Sequence, residues 1–158
     1  MKQALLVVDV RSCFDPPRWQ IDGIKQLAQT MHSIATVERH VEDVTPFWRQ
    51  LGWIPSLDDD PLVATDKVFV KHGFAPPGEL IDHLKNAGVQ RVLVCGIQAD
   101  TCCLADGFLL FDAGLHPTTL KWLTVRSSPD RTAELGARLW LHHFGQKSVM
   151  DHANDLRR

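Results

Sequence analysis

Short, uninterrupted apolar segments alternate along this sequence with longer amphipathic ones, and this alternation limits the folds open to the chain. The segments ALLVVDV, VFVKHG and RVLVCG are rich in valine and lack the polar residue at every second position that marks a half-exposed strand. Strands of this kind are buried on both faces, as they are in parallel sheets. We therefore predict an α/β fold, a three-layer α-β-α sandwich with a mostly parallel sheet.

The segments between these strands have the periodicity of amphipathic helices. Helices are predicted over residues 21–34, 77–88, 100–114 and 128–145. Gly88 and Gly114 end two of them at the position of a C-cap glycine. Ser127 or Ser128 is predicted as the N-cap of the last helix, with Pro129 in its first turn.

Further strands complete the predicted sheet. Strands are expected over residues 119–125 and 147–150, while residues 36–65 are expected to supply strand two, a short helix and a long connection. Strands that alternate with helices form a parallel sheet covered on both faces. We predict about six strands in the order 3-2-1-4-5-6.

The length and charge of the chain restrict its class. At 158 residues it is long enough for one domain, spanning 1–158, and too short for two of ordinary size. The formal net charge of −2 comes from acids and bases mixed along the chain, without the basic block typical of nucleic-acid binding. The apolar run before Asp9 has only about six residues, too few for a secretion signal or a membrane span. We expect a cytoplasmic protein without nucleic-acid or membrane partners.

Three reactive side chains follow the ends of predicted strands. Asp9 follows the first strand, Lys71 ends the segment KVFVK, and Cys102 follows RVLVCG after a short loop. Ligands of open parallel sheets bind at the carboxyl ends of the strands, so an acid, an amine and a thiol are expected to meet at one edge. A cysteine attacks as the thiolate, which requires a base to take its proton and a positive group to favour the anion. Asp9 is predicted as the base and Lys71 as the positive group.

The four cysteines are expected to be free thiols in different surroundings. Cys13, Cys95, Cys102 and Cys103 lack the spacing of a disulfide framework or of a C-x-x-C zinc site. If Asp100 is the helix N-cap, Cys102 lies in the first turn, where backbone N–H groups favour an anion and could hold an oxyanion. Cys103 is turned by about a hundred degrees and should face the core, as should Cys95. Cys13 is expected in a loop.

These motifs resemble the isochorismatase-like cysteine hydrolases, the superfamily that includes nicotinamidases and N-carbamoylsarcosine amidohydrolase, over almost the whole chain. Asp9 and Phe14 stand at two positions of the family motif D-x-Q-x-x-F, and DKVFVK supplies an acid, Asp66, five residues before Lys71. The segment GIQADTCCLADGFLLFDAG fits the nucleophile motif, with Cys102 as the nucleophile.

The resemblance implies a function and a set of roles. It implies hydrolysis of a small amide-like substrate through an acyl-enzyme on Cys102, with Asp9 moving protons and Lys71 stabilising charge. In the family, the peptide bond after the residue that is here Ile97 is cis, and the backbone N–H of Gln98 would form the oxyanion hole with that of Cys102. We expect no cofactor, a small-molecule substrate, and a homo-oligomer, either a dimer or a tetramer.

Two departures from the family pattern concern charged residues. Arg11 stands where the family usually has an amide, and it could pair with Asp9, bind a substrate carboxylate or be a surface charge. Glu38 and His40 have the offset at which the metal site of nicotinamidases begins, but no His occurs between His40 and His72. We therefore expect no metal site.

Aromatic residues could line the substrate pocket. Phe14 and Phe74 are predicted, with Arg11, as substrate-binding residues, and Trp19, Trp48 and Trp53 are further candidates for an apolar wall. The identity of the substrate does not follow from the sequence.

Other functions use the same residues differently. The main alternative is a non-catalytic descendant that binds a small molecule or a partner in the same crevice. A vinyl-ether-cleaving isochorismatase is a second, although such enzymes commonly lack the cysteine. A phosphoacceptor receiver domain also places an Asp and a Lys at strand ends, but it has no use for a thiol.

Overall fold

In the part of the chain that the structure describes, six parallel strands form one sheet. The computed structural model describes residues 1–56, 59–126 and 132–157. The strands are β1 (Gln3–Val8), β2 (Ser33–Glu38), β3 (Lys67–Lys71), β4 (Arg91–Ile97), β5 (His116–Val125) and β6 (Val149–Met150). They lie in the order β3-β2-β1-β4-β5-β6, and every neighbouring pair is parallel. The predicted order 3-2-1-4-5-6 is confirmed.

Helices cover both faces of the sheet. They are α1 (Arg18–Ala28), α2 (Phe47–Leu51), α3 (Gly78–Asn86), α4 (Cys102–Asp112) and α5 (Glu134–Phe144), with short 3₁₀ turns at Ser12–Phe14, Gln146–Ser148 and Ala153–Arg157. Apolar side chains of α3, α4 and α5 pack in one core with alternate residues of β1, while those of α1 pack on the opposite face. This is the predicted three-layer α/β sandwich.

The first strands are buried, as their sequences indicate. All residues of β2, and all of β1 except Gln3, are buried. Within β1, Leu6 and Val8 enter the core beneath α3 and α4, and Leu5 and Val7 enter the core beneath α1. A continuous apolar run therefore fills both cores, because successive side chains of a strand point to opposite faces.

Two predicted helices are wrong at their ends. Residues 21–34 were expected as one helix, but α1 ends at Ala28 and β2 begins at Ser33, whose backbone N–H is bound by the Asp66 carboxylate. Ile34 lies in β2, which pairs with β1 on one side and β3 on the other, so tertiary contacts override the local helical periodicity. The last helix begins at Glu134, and its predicted N-terminal residues Ser127, Ser128 and Pro129 lie outside the described residues.

The glycines predicted to end two helices have the expected conformation. Gly88 and Gly114 follow the C-caps of α3 and α4 and have φ of +70° and +78°. This left-handed region favours glycine, because a Cβ would be strained there.

Gly96 allows β1 and β4 to approach closely beside the carboxyl ends of the strands. It has φ of +122°, and an added Cβ would collide with the backbone of Val8. We expect Gly96→Ala to lower the free energy of unfolding by at least about 2 kcal/mol, because the clash and the φ both oppose a side chain. Urea unfolding measures this. Gly78→Ala is the matched control: nothing lies within 4 Å of its added Cβ, and it should stay near wild type. Similar stability of the two variants would contradict the close approach.

None of the helices in the described part of the chain combines the length and apolar character needed to cross a membrane.

Candidate active site

Asp9 and Lys71 form a buried ion pair at the carboxyl edge of the sheet. Asp9 directly follows β1 and has φ of +49°, a conformation that Asp adopts more readily than most residues. Lys71 is the last residue of β3, and its Nζ lies 2.7 Å from Oδ2 of Asp9, with both side chains 1% exposed. Because β2 separates β1 from β3, the side chain of Lys71 reaches across β2 to make this contact. The two residues meet as predicted, although their strands are not neighbours.

Lys71 is held in its protonated form. Burial lowers the pKa of the Lys71 ammonium, but the Asp9 carboxylate, the Cys102 thiol and the Asp106 carboxyl raise it, and the net pKa lies above its ordinary value. The ammonium also donates a hydrogen bond of 2.9 Å to the carbonyl oxygen of Phe74. Lys71 is therefore a fixed positive charge beside Asp9 and Cys102.

Cys102 is the first residue of α4 and is half-buried. Burial raises the pKa of its thiol to about 12, since the lowering by Lys71 is outweighed by burial and by the nearby Asp9 and Asp106. At neutral pH Cys102 is therefore a thiol, and it needs a base when it attacks. The expectation that Asp100 is the N-cap is wrong. Thr101 precedes α4, and Asp100 instead pairs with Arg126 at 3.1 Å.

The other cysteines have the surroundings expected from the sequence. Cys95 and Cys103 are fully buried, and burial raises the pKa of each thiol well above its ordinary value. Cys13 is exposed, and all four cysteines are free. Cys102 is the cysteine that lines the cavity beside Asp9.

Backbone N–H groups lie where β4 leads into α4. Within the described residues, the amides of Gln98 and Cys102 have no hydrogen-bond acceptor. The carbonyl oxygen of Gln98 accepts hydrogen bonds from the amides of Thr101 and Cys103, at 3.3 and 3.0 Å. The peptide bond between Ile97 and Gln98 is cis, as the family resemblance implies.

A cavity of about 260 Å³ opens between these groups, and we call it the strand-end cavity. Its polar and charged lining residues are Asp9, Glu38, Gln98, Thr101 and Cys102. Its apolar wall consists of Phe14, Phe47, Leu51, Trp53, Phe74 and Ile97. Grooves of about 390 and 710 Å³ lie elsewhere on the surface, and neither is lined by a cysteine.

The predicted aromatic residues divide into two groups. Phe14, Trp53 and Phe74 line the strand-end cavity. Trp19 and Trp48 do not, and both are more than half exposed. Sequence reasoning missed Phe47, which is buried at the start of α2 and contacts the rings of His40, Trp53 and Phe74. It also missed Thr101, whose buried hydroxyl has no partner in the described part of the chain.

Arg11 was expected to bind substrate, but it does not line the strand-end cavity. Its side chain is fully buried and donates hydrogen bonds to the carbonyl oxygens of Glu38 and Ser56. Its Nε lies 3.8 Å from the carboxylate of Asp59. Arg11 therefore connects Ser56 to the end of β2. Its burial shows that the interpretation of Arg11 as a surface charge is wrong.

Glu38 and His40, the candidate start of a metal site, have different partners. Glu38 lines the strand-end cavity, while His40 pairs through Nε2 with Glu42 at 2.9 Å and stacks on Phe47. Among residues 1–56, 59–126 and 132–157, no group of three or more His, Cys, Asp or Glu could hold a metal ion. The expected lack of a metal cofactor stays a prediction.

Asp66, the acid five residues before Lys71, lies away from the cavity. It stands just before β3, at the opposite end of that strand from Lys71. Its carboxylate accepts hydrogen bonds from the backbone of Ser33 and from His32, both at 2.9 Å. Asp66 therefore joins the starts of β2 and β3.

Asp106 is a buried acid that sequence reasoning missed. It lies on α4, one turn after Cys102, and is fully buried with no hydrogen-bond partner for either oxygen in the described part of the chain. Burial raises the pKa of Asp106 to about 8, with Lys71 opposing the rise and Asp9 adding to it. Its four-residue spacing from Cys102, on one face of a predicted helix, was the available signal.

Together these groups can support nucleophilic attack on a carbonyl. The Cys102 thiol and the Asp9 carboxylate line one cavity, and the Lys71 ammonium contacts that carboxylate. Gln98 and Cys102, whose backbone N–H groups have no acceptor among the described residues, line the same cavity. A thiol that keeps its proton at rest requires a neighbouring base, and a developing oxyanion requires aligned donors.

Solved structures of similar fold were found, whereas no protein-family model and no curated protein matches the sequence. A pyrazinamidase/nicotinamidase from Streptococcus mutans is 16% identical, with a TM-score of 0.78 over 94% of this chain and 100% of that chain. An isochorismatase-like hydrolase from Alkaliphilus metalliredigens is 17% identical, with a TM-score of 0.78 over 99% and 98%. An N-carbamoylsarcosine amidase from Thermoplasma acidophilum is 19% identical, with a TM-score of 0.76 over 96% and 98%. The chain has the fold of these proteins.

Proposed function

We propose that this chain is a cysteine hydrolase of the isochorismatase-like superfamily, and that it cleaves the C–N bond of a small amide-like substrate through an acyl-enzyme on Cys102. The observation that carries the proposal is the 2.7 Å ion pair of Asp9 and Lys71 beside a cysteine that lines the same cavity. The amidases and the isochorismatase-like hydrolase of similar fold support it.

In the first half of the reaction, Asp9 accepts the proton of the Cys102 thiol as Sγ attacks the substrate carbonyl carbon. The carbonyl oxygen gains the negative charge, and the backbone N–H groups of Gln98 and Cys102 donate hydrogen bonds to it. The C–N bond then breaks, and protonated Asp9 gives its proton to the leaving nitrogen. Ammonia or an amine leaves, and a thioester on Cys102 remains.

In the second half, water attacks the thioester carbonyl and Asp9 accepts its proton. The C–S bond breaks, the carboxylic acid product leaves, and the proton returns to Sγ of Cys102. Lys71 keeps the carboxylate of Asp9 in place and offsets negative charge at the thiolate. Each turnover consumes one water molecule and leaves the three side chains in their starting protonation states.

A panel of small amides with ammonia release as the readout tests the proposal. We expect at least one amide to be hydrolysed, and Cys102→Ala to reduce its kcat/KM by roughly 10³-fold or more, because the nucleophile is lost. Cys13→Ala removes an exposed thiol outside the strand-end cavity and is the control. Hydrolysis that survives in Cys102→Ala would contradict the role of this thiol. Binding without hydrolysis across the panel would favour the non-catalytic alternative.

A further inference from the structure

The charged lining of the strand-end cavity is entirely acidic in the described part of the chain. Asp9 and Glu38 line the cavity, and none of the described Lys, Arg or His residues does so. The nearest ammonium, that of Lys71, already contacts the Asp9 carboxylate and the carbonyl oxygen of Phe74. Glu38 is therefore the lining carboxyl without a cationic partner of its own.

The Glu38 carboxyl can accept a hydrogen bond for which the described residues offer no donor. It is the last residue of β2, it is 3% exposed, and it lines the cavity. Its Oε1 is buried with no hydrogen-bond partner among the described residues. Burial and the neighbouring Asp9 raise the pKa of this carboxyl, against the opposing effects of Lys71, His40 and Arg11. A buried acceptor without a donor is unfavourable, so a ligand that brings an N–H group gains the bond that is missing.

An anionic ligand would be repelled by the carboxylates of this cavity. The guanidinium of Arg11 is committed to the carbonyl oxygens of Glu38 and Ser56 and is not part of the lining. A substrate carboxylate in this cavity would lie beside Asp9 and Glu38, with no cation among the described lining residues to receive it. Like charges in a space of low dielectric constant repel each other strongly.

We propose that Glu38 determines substrate specificity by accepting a hydrogen bond from a second nitrogen of the substrate, preferably a protonated one, and that the strand-end cavity rejects amides carrying a carboxylate. The apolar wall of Phe14, Phe47, Trp53 and Phe74 would enclose the rest of the molecule. The inference rests on the proposed function in that it assigns a substrate class to the same site.

Two series of amides, in which one substituent is cationic, neutral or anionic, test the inference. The short series is glycinamide, propionamide and malonamate; the aromatic series is benzamide with a 3-aminomethyl, 3-ethyl or 3-carboxymethyl group. We expect kcat/KM in at least one series to be tenfold or more higher for the cationic amide than for its neutral partner, with the anionic amide lowest. A neutral amide that equals or exceeds the cationic one in both series would overturn the inference.

Substitution of Glu38 shows whether this side chain causes the preference. Glu38→Gln should reduce the cationic-to-neutral ratio of kcat/KM by tenfold or more, a ratio that a general loss of folded enzyme does not change. Glu42→Gln is the control, because it removes the same charge from a residue that pairs with His40 and Arg49 outside the cavity lining. A preference that persists in Glu38→Gln would remove Glu38 from this role.

Binding measurements separate this inference from the proposed function. Isothermal titration calorimetry of the same amides with Cys102→Ala should show tighter binding of the cationic member, and Glu38→Gln in that background should abolish the difference. If no amide is hydrolysed but this binding pattern is found, the proposed function fails and the Glu38 subsite stands. If amides are hydrolysed without discrimination by charge, the hydrolase stands and the subsite fails. Equal binding of the cationic, neutral and anionic amides, with no hydrolysis of any of them, overturns both the proposed function and the Glu38 subsite.

Discussion

Replacement of Lys71 by methionine is expected to lower the free energy of unfolding by about 3 to 5 kcal/mol. Lys71 is the ion-pair partner of Asp9 at 2.7 Å, and both side chains are 1% exposed. Without the ammonium, the Asp9 carboxylate stays buried, and the Thr36 hydroxyl at 3.4 Å is the hydrogen-bond donor that the described residues still offer it. The loss follows from the unpaired charge rather than from lost packing, because methionine retains most of the volume. Urea unfolding at pH 7 measures it.

A double-mutant cycle separates the ion pair from other effects. Asp9→Asn combined with Lys71→Met removes both charges, so the double variant should be more stable than the sum of the two single losses predicts. Both single variants should also lose turnover, since the first lacks the base and the second lacks the charge that holds it. A Lys71→Met protein within 1 kcal/mol of wild type would show that the pair is not buried as described.

Replacement of Asp106 by asparagine is expected to change how stability depends on pH. The pKa of Asp106 is about 8 in the folded chain and about 4 in an unfolded one. Between these values the folded protein holds a proton that the unfolded protein releases, so Asp106 lowers the free energy of unfolding progressively as pH rises from about 4 to about 8. Asparagine has no such proton. The stability of Asp106→Asn relative to wild type should therefore increase over this interval by on the order of 4 kcal/mol.

Denaturant unfolding of wild type and variant at pH 4.5, 6 and 8 gives this difference directly. Titrating groups that do not interact with Asp106 affect both proteins equally, so their contribution cancels in the comparison. Asp112→Asn is the matched control, because it removes the same side-chain charge from an exposed residue that ends the same helix. If the free energies of unfolding of Asp106→Asn and wild type change with pH in parallel, the Asp106 carboxyl is ionised in the folded protein already at low pH. That result would contradict the burial of Asp106 without a hydrogen-bond partner among the described residues.

The residues predicted from the sequence are those whose position follows from the ends of strands. Asp9 and Lys71 stand immediately after or at the end of apolar runs, and parallel strands bring such ends to one edge. The same reasoning gave the strand order and the core position of Cys103, because alternating strands and helices leave few arrangements. The local sequence pattern is sufficient to predict the position of a side chain where strand or helix geometry alone fixes its direction.

The residues that were missed or misassigned depend on contacts between distant segments. Arg11 bonds to carbonyl oxygens of Glu38 and Ser56, which are 27 and 45 residues away, and backbone acceptors carry no sequence signal. The burial of Asp106 requires knowing which face of α4 meets the sheet, since its residues are apolar nearly all round. The first residues of β2 were predicted as the end of a helix, because a short apolar run is compatible with a helix or a strand.

Detection of the acyl-enzyme on Cys102 tests the central claim most directly. The amide that the enzyme hydrolyses fastest is mixed with it, quenched in acid during turnover, and digested with trypsin. Residues 92–121 form one peptide that carries Cys95, Cys102 and Cys103, so fragmentation must assign the modified position. We predict a mass increase equal to the acyl group on Cys102, present in Cys103→Ser and absent in Cys102→Ser. Turnover with the acyl group on another residue, or undiminished turnover in Cys102→Ser, would contradict catalysis by this thiol.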